Sequence, residues 1–242
     1  MTLSRSHRPE TLSGTELDRF LSIGWYRMGQ NIFTTNHIFQ GADAYWVFWL
    51  RYHLPDISFS AKQKKIIARV SRFSLQVKPF RLTREHEDLY EQYHEGITFD
   101  APPSISSFLY DEYGNNVFST SIIELRDGKK LVAAGIFDEG NNSIAGIMNF
   151  YDPDYAQYSP GKFMMLKKVE LACSAGKKWY YPGYIVHGLP KFDYKLFLGK
   201  TLAEIYLPFN NKWVVYDPAL AERYARDPFG FDEMSAIEGL RK

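Results

Sequence analysis

Cysteine is almost missing from this chain: Cys173 is the one thiol in 242 residues. A single thiol cannot close a disulfide within the chain, which excludes a disulfide scaffold and points to a reducing, intracellular setting. No apolar run approaches the length of a membrane-spanning helix. The opening residues, MTLSRSHRPETLSG, lack the apolar stretch of an export signal. These gaps lead to the expectation of a soluble, cytoplasmic protein with no membrane partner. Acidic residues are also missing, but only locally. Between positions 57 and 84 stand Lys62, Lys64, Lys65, Arg69, Arg72, Lys78, Arg81 and Arg84, with no Asp or Glu among them. Since the net charge is only +1, the remainder is acidic on balance. A solvated helix face usually mixes both signs, so this stretch is expected to meet a polyanion.

Aromatic side chains are present in excess, at 17%, within an ordinary hydrophobic share of 45%. They crowd into WYYPGYIVHGLPKFDYK, residues 179–195. Here four tyrosines, two lysines and a histidine surround Gly183 and Gly188. A core strand would hold Val and Ile, not phenols that need hydrogen-bond partners.

The elements read as follows. Residues 1–14 form a flexible lead-in. Residues 15–23 form a helix with Thr15 as cap, and 25–34 and 45–54 form strands. Residues 58–70 form a basic helix capped by Ser58 or Ser60, and 73–80 a strand. Thr83, followed three residues later by His86, opens a helix over 83–95, and a shorter helix spans 104–110. Strands at 117–126, 130–138 and 143–151 are joined by the turn sequences DGKK and EGNNS. A helix runs from Pro160 to Ala175, then come strands at 178–186 and 201–206 and a helix at 219–226. The expected fold class is α/β (α+β). The order of the second half is that of a GNAT-type N-acyltransferase fold, in which two neighbouring parallel strands splay apart and the helix after the first binds the donor. We expect a smaller N-terminal α/β subdomain over 1–80 and a GNAT-like transferase domain over 81–242.

Several residues carry candidate chemistry. The helix start Ser159-Pro160-Gly161-Lys162 presents unpaired N–H groups, room for close approach at Gly161 and a cation at Lys162, a setting for phosphate. The same residues also read as an ordinary helix start. Phe163, Leu166, Val169, Ala172 and Cys173 are expected on the helix's inward face, which leaves Cys173 in the core and without a base. Trp46 and Trp49 read as core. Asp152 makes a turn with Pro153 or serves as a base.

The segment YYPGYIVHGLPKFDYK resembles the YYLGYYIHSCPKMRYK motif of the arginyl-tRNA–protein transferases and bacterial aspartate/glutamate leucyl-tRNA–protein transferases. Tyr180, Tyr181, Gly183, Tyr184, His187, Pro190, Lys191, Tyr194 and Lys195 match. Phe150 to Asp154 is similar to the family's FYDPD, and Ser159, Gly161 and Glu170-Leu171-Ala172 fall on its SLGTYAILRQIELA helix. LDRFLSIGWYRMGQNIF resembles the start of its domain, so the likeness runs from about Leu17 to Trp213. Two departures stand out. The family's paired cysteines near the second strand have no counterpart in HIFQGADAYWVFW. Leu189 and Gly188 stand where the motif has Cys and Ser.

The resemblance implies an aminoacyl-tRNA-dependent transferase that joins an Arg- or Leu-like amino acid to the N-terminal amine of a protein or peptide. Aminoacyl-tRNA would be the co-substrate, with no other cofactor and no metal. The ester arrives activated, so the reaction needs alignment, an uncharged acceptor amine and donors for the developing oxyanion, but no enzyme nucleophile. On this reading Asp152, Tyr181 and Tyr184 form the catalytic set, and Ser159, Gly161 and Lys162 hold the donor. His187, Lys191, Tyr194 and Lys195 meet an acceptor with an acidic residue. Lys62, Lys64, Lys65, Arg69 and Arg72 meet the tRNA. Two rivals remain open: an acyltransferase of the same fold using acyl-CoA on a small amine, and a non-catalytic relative that binds tRNA or a degron.

Overall fold

Cap residues, most with a capping side chain, mark where the helices begin. The structure, a computed structural model, describes residues 3–97 and 101–231. Residues 1 and 2 of the expected lead-in, and 98–100 and 232–242 of the expected second domain, lie outside them. Ser13, not Thr15, opens α1 (Gly14–Ser22), because its hydroxyl accepts from Glu16 N while Glu16 bonds back to Ser13. Ser60 and Gln63 form the same box at α2 (Ala61–Arg69), and Thr83 and His86 form it at α3 (Arg84–Glu95). α4 (Ile105–Leu109) starts at Ser104, α5 (Pro160–Ser174) at Ser159, and α6 (Pro218–Arg226) at Asp217.

The strands differ from expectation near the N-terminus. The lead-in contains β1 (Ser4–His7). The stretch 25–34 is two strands, β2 (Tyr26–Met28) and β3 (Asn31–Thr35), because Gly29 takes a left-handed φ of 63° and turns the chain. These three form a small sheet in the order β1-β3-β2. β4 (His37–Gln40), an unforeseen strand, pairs with β5 (Asp43–His53). The large mixed sheet continues with β6 (Ser74–Pro79), β7 (Thr120–Asp127), β8 (Lys130–Glu139), β9 (Ser143–Tyr151), β10 (Trp179–Val186), β11 (Ala203–Leu207) and the unforeseen β12 (Lys212–Val215). Its order is β12-β11-β5-β10-β9-β8-β7-β6, so β5 and β6 from the first 80 residues lie in one sheet with strands of the later chain.

β5 shows why the sheet is central. Its side chains alternate, so both faces must be apolar if both are covered. Trp46, Phe48, Leu50 and Tyr52 join the cluster under α2, α5 and α6, and Val47 and Trp49 join the opposite cluster with Leu17 and Leu21 of α1. α3 and α4 cover β7–β9 through Leu89, Tyr90, Ile105 and Leu109. The small sheet is fastened by a buried ion pair. Arg27 Nη1 lies 2.9 Å from Asp138, and Nη2 donates to Leu109 O at 2.7 Å. Burial pulls the Arg27 pKa down and pushes that of Asp138 up, each opposed by the partner's charge.

α5 buries Phe163, Leu166, Val169 and Ala172 as its spacing required. Cys173, expected inward, is exposed. It follows Ala172 by about 100° around the helix and faces a surface groove lined by Ile57, Phe59 and Leu171. Among the described residues no helix is long and apolar enough to cross a membrane.

Candidate functional site

The candidate site lies where two parallel strands part. β9 and β10 pair only at Trp179–Ser143, Tyr180–Ile144 and Tyr181–Ala145. Beyond Tyr181 the register of β10 against β5 shifts between Tyr180 and Gly183, and Gly183 adopts φ 101°. That conformation is open to glycine and strained for other residues. The bulge has a direct consequence for the side chains. Residues 181 and 184 would face opposite sides of a regular strand, yet Tyr181 and Tyr184 both join the cluster on the Trp49 face.

Tyr26 of β2 closes the base of the gap. Its hydroxyl lies 2.5 Å from Gly146 O on β9 and 3.1 Å from Tyr181 O on β10, and its ring stacks on Trp49 at 5.5 Å. Burial raises the Tyr26 pKa well above the usual phenol value, so it stays a donor. On the other side of β9, the buried Lys168 of α5 donates to Ile136 O at 2.7 Å, Met148 O at 3.1 Å and Asn149 Oδ1 at 2.8 Å. It thereby fills the irregularity between β8 and β9 at Ile136–Phe137. Burial lowers its pKa to about 7, against a small opposing pull from Asp138.

The mouth of the gap is walled by the 3-10 segment Pro190–Leu198. Tyr184 meets Trp49 edge-on at 5.2 Å and Phe192 at 5.6 Å. Lys195 projects its ammonium over three rings, 4.6 Å from the Tyr194 centroid, 5.1 Å from Phe192 and 5.4 Å from Tyr184. Its stem passes 3.4 Å from the position a Gly183 Cβ would take. Each ring contributes about 0.5–1 kcal/mol to holding the charge. Removing an ammonium from water costs several kcal/mol. Lys195 is half-buried, and this partial desolvation still outweighs the rings and lowers its pKa to about 7, with Asp193 pulling the other way. Tyr194 is half exposed, so its pKa is raised by local desolvation beside the Tyr93 and Tyr184 hydroxyls, while burial raises that of Tyr184. These phenols can donate hydrogen bonds and cannot act as bases near neutrality.

The other expected site residues fall into two groups. Lys191 is exposed and rests on the same Phe192 ring, at 5.3 Å. Lys162 of α5 sits 5.3 Å over Phe197 of the same 3-10 segment. Ser159, the α5 N-cap, has φ 55° and makes no side-chain cap, and Gly161 would have only Tyr151 within 4 Å of a Cβ, at 3.7 Å. His187 is exposed, with its backbone N bonded to Trp46 O. Gln63 of α2 donates to Phe197 O at 2.8 Å, which places the basic helix beside this mouth. Lys62, Lys64, Lys65, Arg69 and Arg72 are all exposed, and no ion pair to them is found among the described residues.

Asp152 and Tyr181 stand apart from that group. The Asp152 carboxylate is 2.6 Å from Lys130 and accepts from Asp154 N at 2.9 Å. Burial would raise its pKa, but these partners outweigh burial and hold it below the usual range. The Tyr181 ring packs against Trp213 at 5.9 Å, and burial raises its pKa to about 12 against the pull of Arg51. Only its backbone carbonyl reaches the gap, through Tyr26. Sequence reasoning missed Tyr26, Phe192, Phe197, Gln63 and Lys168. Tyr26 and the two phenylalanines lie in or beside quoted motifs. Nothing in the sequence distinguishes Lys168 from the neighbouring Lys167.

Residues 85–201 match the family described as arginine-tRNA-protein transferase, C terminus. The aspartate/glutamate leucyltransferase of Shewanella sp. strain MR-4 is 30% identical over 196 residues, 77% of each chain. That of Helicobacter hepaticus is 26% identical over 170 residues, 68% of each. Among solved structures, L-PGS from Bacillus licheniformis gives a TM-score of 0.44 at 12% identity, covering 58% of this chain and 46% of that one, so this chain spans less than half of that protein. The chain is an aminoacyltransferase. Within that class, it belongs to the arginine-tRNA-protein transferase and aspartate/glutamate leucyltransferase family.

Proposed function

We propose that this protein transfers an amino acid from aminoacyl-tRNA to the N-terminal amine of a protein or peptide, in the cytoplasm and without a metal or further cofactor. The observation that carries the reading is the parted β9–β10 pair, whose mouth is flanked by the α5 start, the Tyr184–Phe192–Tyr194 rings and the basic face of α2. The parted strands also support the GNAT-type assignment. Ser159, Gly161 and Lys162 hold the donor end, since first-turn amides suit phosphate and ribose oxygens. Lys62, Lys64, Lys65, Arg69 and Arg72 follow the tRNA backbone. His187, Lys191, Tyr194 and Lys195 receive the acceptor, with exposed Lys191 placed to pair with an acidic first residue and Lys195 deeper, near its amine. Tyr184 donates toward the reacting ester, and the Tyr181 carbonyl and the Asp152 turn fix the backbone on either side.

The test is to incubate the protein with total charged tRNA and peptides carrying acidic or neutral N-terminal residues, then weigh the peptides. A mass gain of one amino-acid residue that requires charged tRNA supports the reading. A gain that requires acyl-CoA instead, or tRNA binding with no transfer, replaces it with one of the two rivals.

A further inference from the structure

The reaction needs a proton moved at the attacking nitrogen, and the phenols near the gap are held in their protonated form. Lys195 is placed differently. It has no carboxylate within ion-pair distance among the described residues, and its stem lies along the side-chain-free face of Gly183 at the bulge. The groups around it come from several elements. They are Tyr184 from β10, Phe192, Asp193 and Tyr194 from its own segment, and Tyr52 from β5, whose hydroxyl donates to the Lys195 carbonyl at 2.9 Å. The Tyr93 hydroxyl of α3 acts on Tyr194 electrostatically. Asp193 is the single acidic group that acts on it, and it is too weak to offset the loss of water.

We propose that Lys195 is the proton carrier of the transfer: its amine takes a proton from the attacking acceptor nitrogen and returns it to the leaving ribose oxygen. The step balances without a further reactant. The uncharged acceptor amine, having lost its ammonium proton to solvent, forms the N–C bond to the ester carbonyl carbon. Lys195 Nζ receives one proton from that nitrogen. The C–O bond to the ribose breaks with its electron pair on oxygen, and the same proton passes to that oxygen. Lys195 returns to its uncharged form. Its lowered pKa suits this cycle, because a carrier poised near the working pH both accepts and releases. This inference rests on the transferase reading.

Two measurements on the intact protein test it. The first follows the Lys195 Cε resonance with pH in protein labelled with 13C-lysine, assigned by its loss in Lys195→Arg. Titration near 7 is expected. Titration at the ordinary lysine value of about 10.4 would falsify the proposal. The second measures transfer from leucine-charged and arginine-charged tRNA to a peptide with N-terminal Asp, for wild type and Lys195→Arg. Arginine keeps the charge and cannot give up its proton. We expect kcat to fall by roughly 100-fold or more with KM for charged tRNA within about threefold, and the kcat limb near pH 7 to vanish. A variant with wild-type kcat and pH profile overturns the proton role while leaving the transferase reading intact. Wild-type protein that transfers neither amino acid sinks both.

Discussion

The Tyr26 hydroxyl sits between the backbone carbonyls of Gly146 and Tyr181, 2.5 Å from the first and 3.1 Å from the second. These are ladder groups that parallel pairing would otherwise satisfy. A buried carbonyl left without a donor costs about 1–3 kcal/mol, so two strands cannot part inside a protein without a substitute donor. Tyr26 supplies one from a different sheet, its single proton directed at the nearer Gly146 O with Tyr181 O as the weaker partner. Tyr26→Phe keeps the ring on Trp49 and removes the donor. We expect a loss of about 1–3 kcal/mol in urea unfolding and a drop in transfer exceeding that of stability-matched surface variants. An unchanged urea midpoint would mean that water replaces the phenol and that the gap is held by other contacts.

How much of this was legible in the sequence depends on distance along the chain. The alternation of β5, the caps at Ser60 and Thr83 and the Pro160 start are local patterns, and the structure follows them. The turn at Gly29 split an apparently continuous strand, because one left-handed residue breaks a pattern that composition alone does not reveal. β12 has four residues, too few for alternation to register. The site divides in the same way. Tyr184, Lys191, Tyr194 and Lys195 stand together in one motif and in one place. Tyr26 reaches the gap, and Lys168 the β8–β9 irregularity beside it, through contacts spanning 120 and 20 positions, and pairings of that kind leave no local trace.

The basic face of α2 gives a salt-dependent prediction. Lys62, Lys64, Lys65 and Arg69 are exposed, while Gln63 and Ile66 anchor the helix inward. Changing the four cations to glutamate should leave the fold intact and weaken tRNA binding. The slope of log K against log salt should fall by about 3, at roughly 0.7–0.9 per phosphate contact. An unaltered slope in a filter-binding titration would move the tRNA to another surface.

At the start of α5, a Cβ on Gly161 meets only Tyr151, at an ordinary contact distance of 3.7 Å. Gly161→Val should therefore fold, since valine is no worse a helix former than glycine. The branched side chain would cover the first-turn amides. We expect KM for charged tRNA to rise about tenfold with little change in thermal midpoint. An unchanged KM in the folded variant would place the donor elsewhere.

Acid stability should depend on Glu124, a fully buried carboxylate on β7. Burial alone would raise its pKa, but hydrogen bonds from Lys78, His86 and Arg126 bring it down to about 2. A carboxylate more acidic in the folded than in the unfolded chain stabilises the fold above the unfolded pKa, and the gain disappears as pH falls through the folded one. Stability should thus decline between about pH 5 and pH 2, by an amount on the order of 3 kcal/mol from this group. Glu124→Gln should be less stable at pH 7 and show a flatter acid limb in urea unfolding at pH 7, 4 and 3. A limb as steep as that of wild type would assign the acid sensitivity to other carboxylates.

Lys191 and Lys195 share the Phe192 ring yet differ in setting. Lys191 lies at the exposed rim, 5.3 Å from the ring centroid, and Lys195 lies deeper, ringed by Tyr184 and Tyr194 as well. An exposed ammonium can pair with carboxylate through charge-assisted hydrogen bonds, the stronger kind. An exposed pair of this type contributes about 0.2–1 kcal/mol, rising where the acceptor's arrival excludes water. Lys191→Ala should therefore reduce kcat/KM for peptides beginning with Asp or Glu by about three- to tenfold. It should leave neutral acceptors, tRNA affinity and thermal midpoint unaffected, since among the described residues its recorded contact is with the exposed side of the Phe192 ring. Competition between acidic and neutral peptides in one reaction, read by mass, gives the ratio directly. Equal loss for both acceptors would make Lys191 a general contact of the mouth, and no loss for either would make the motif's first lysine a solvated surface group.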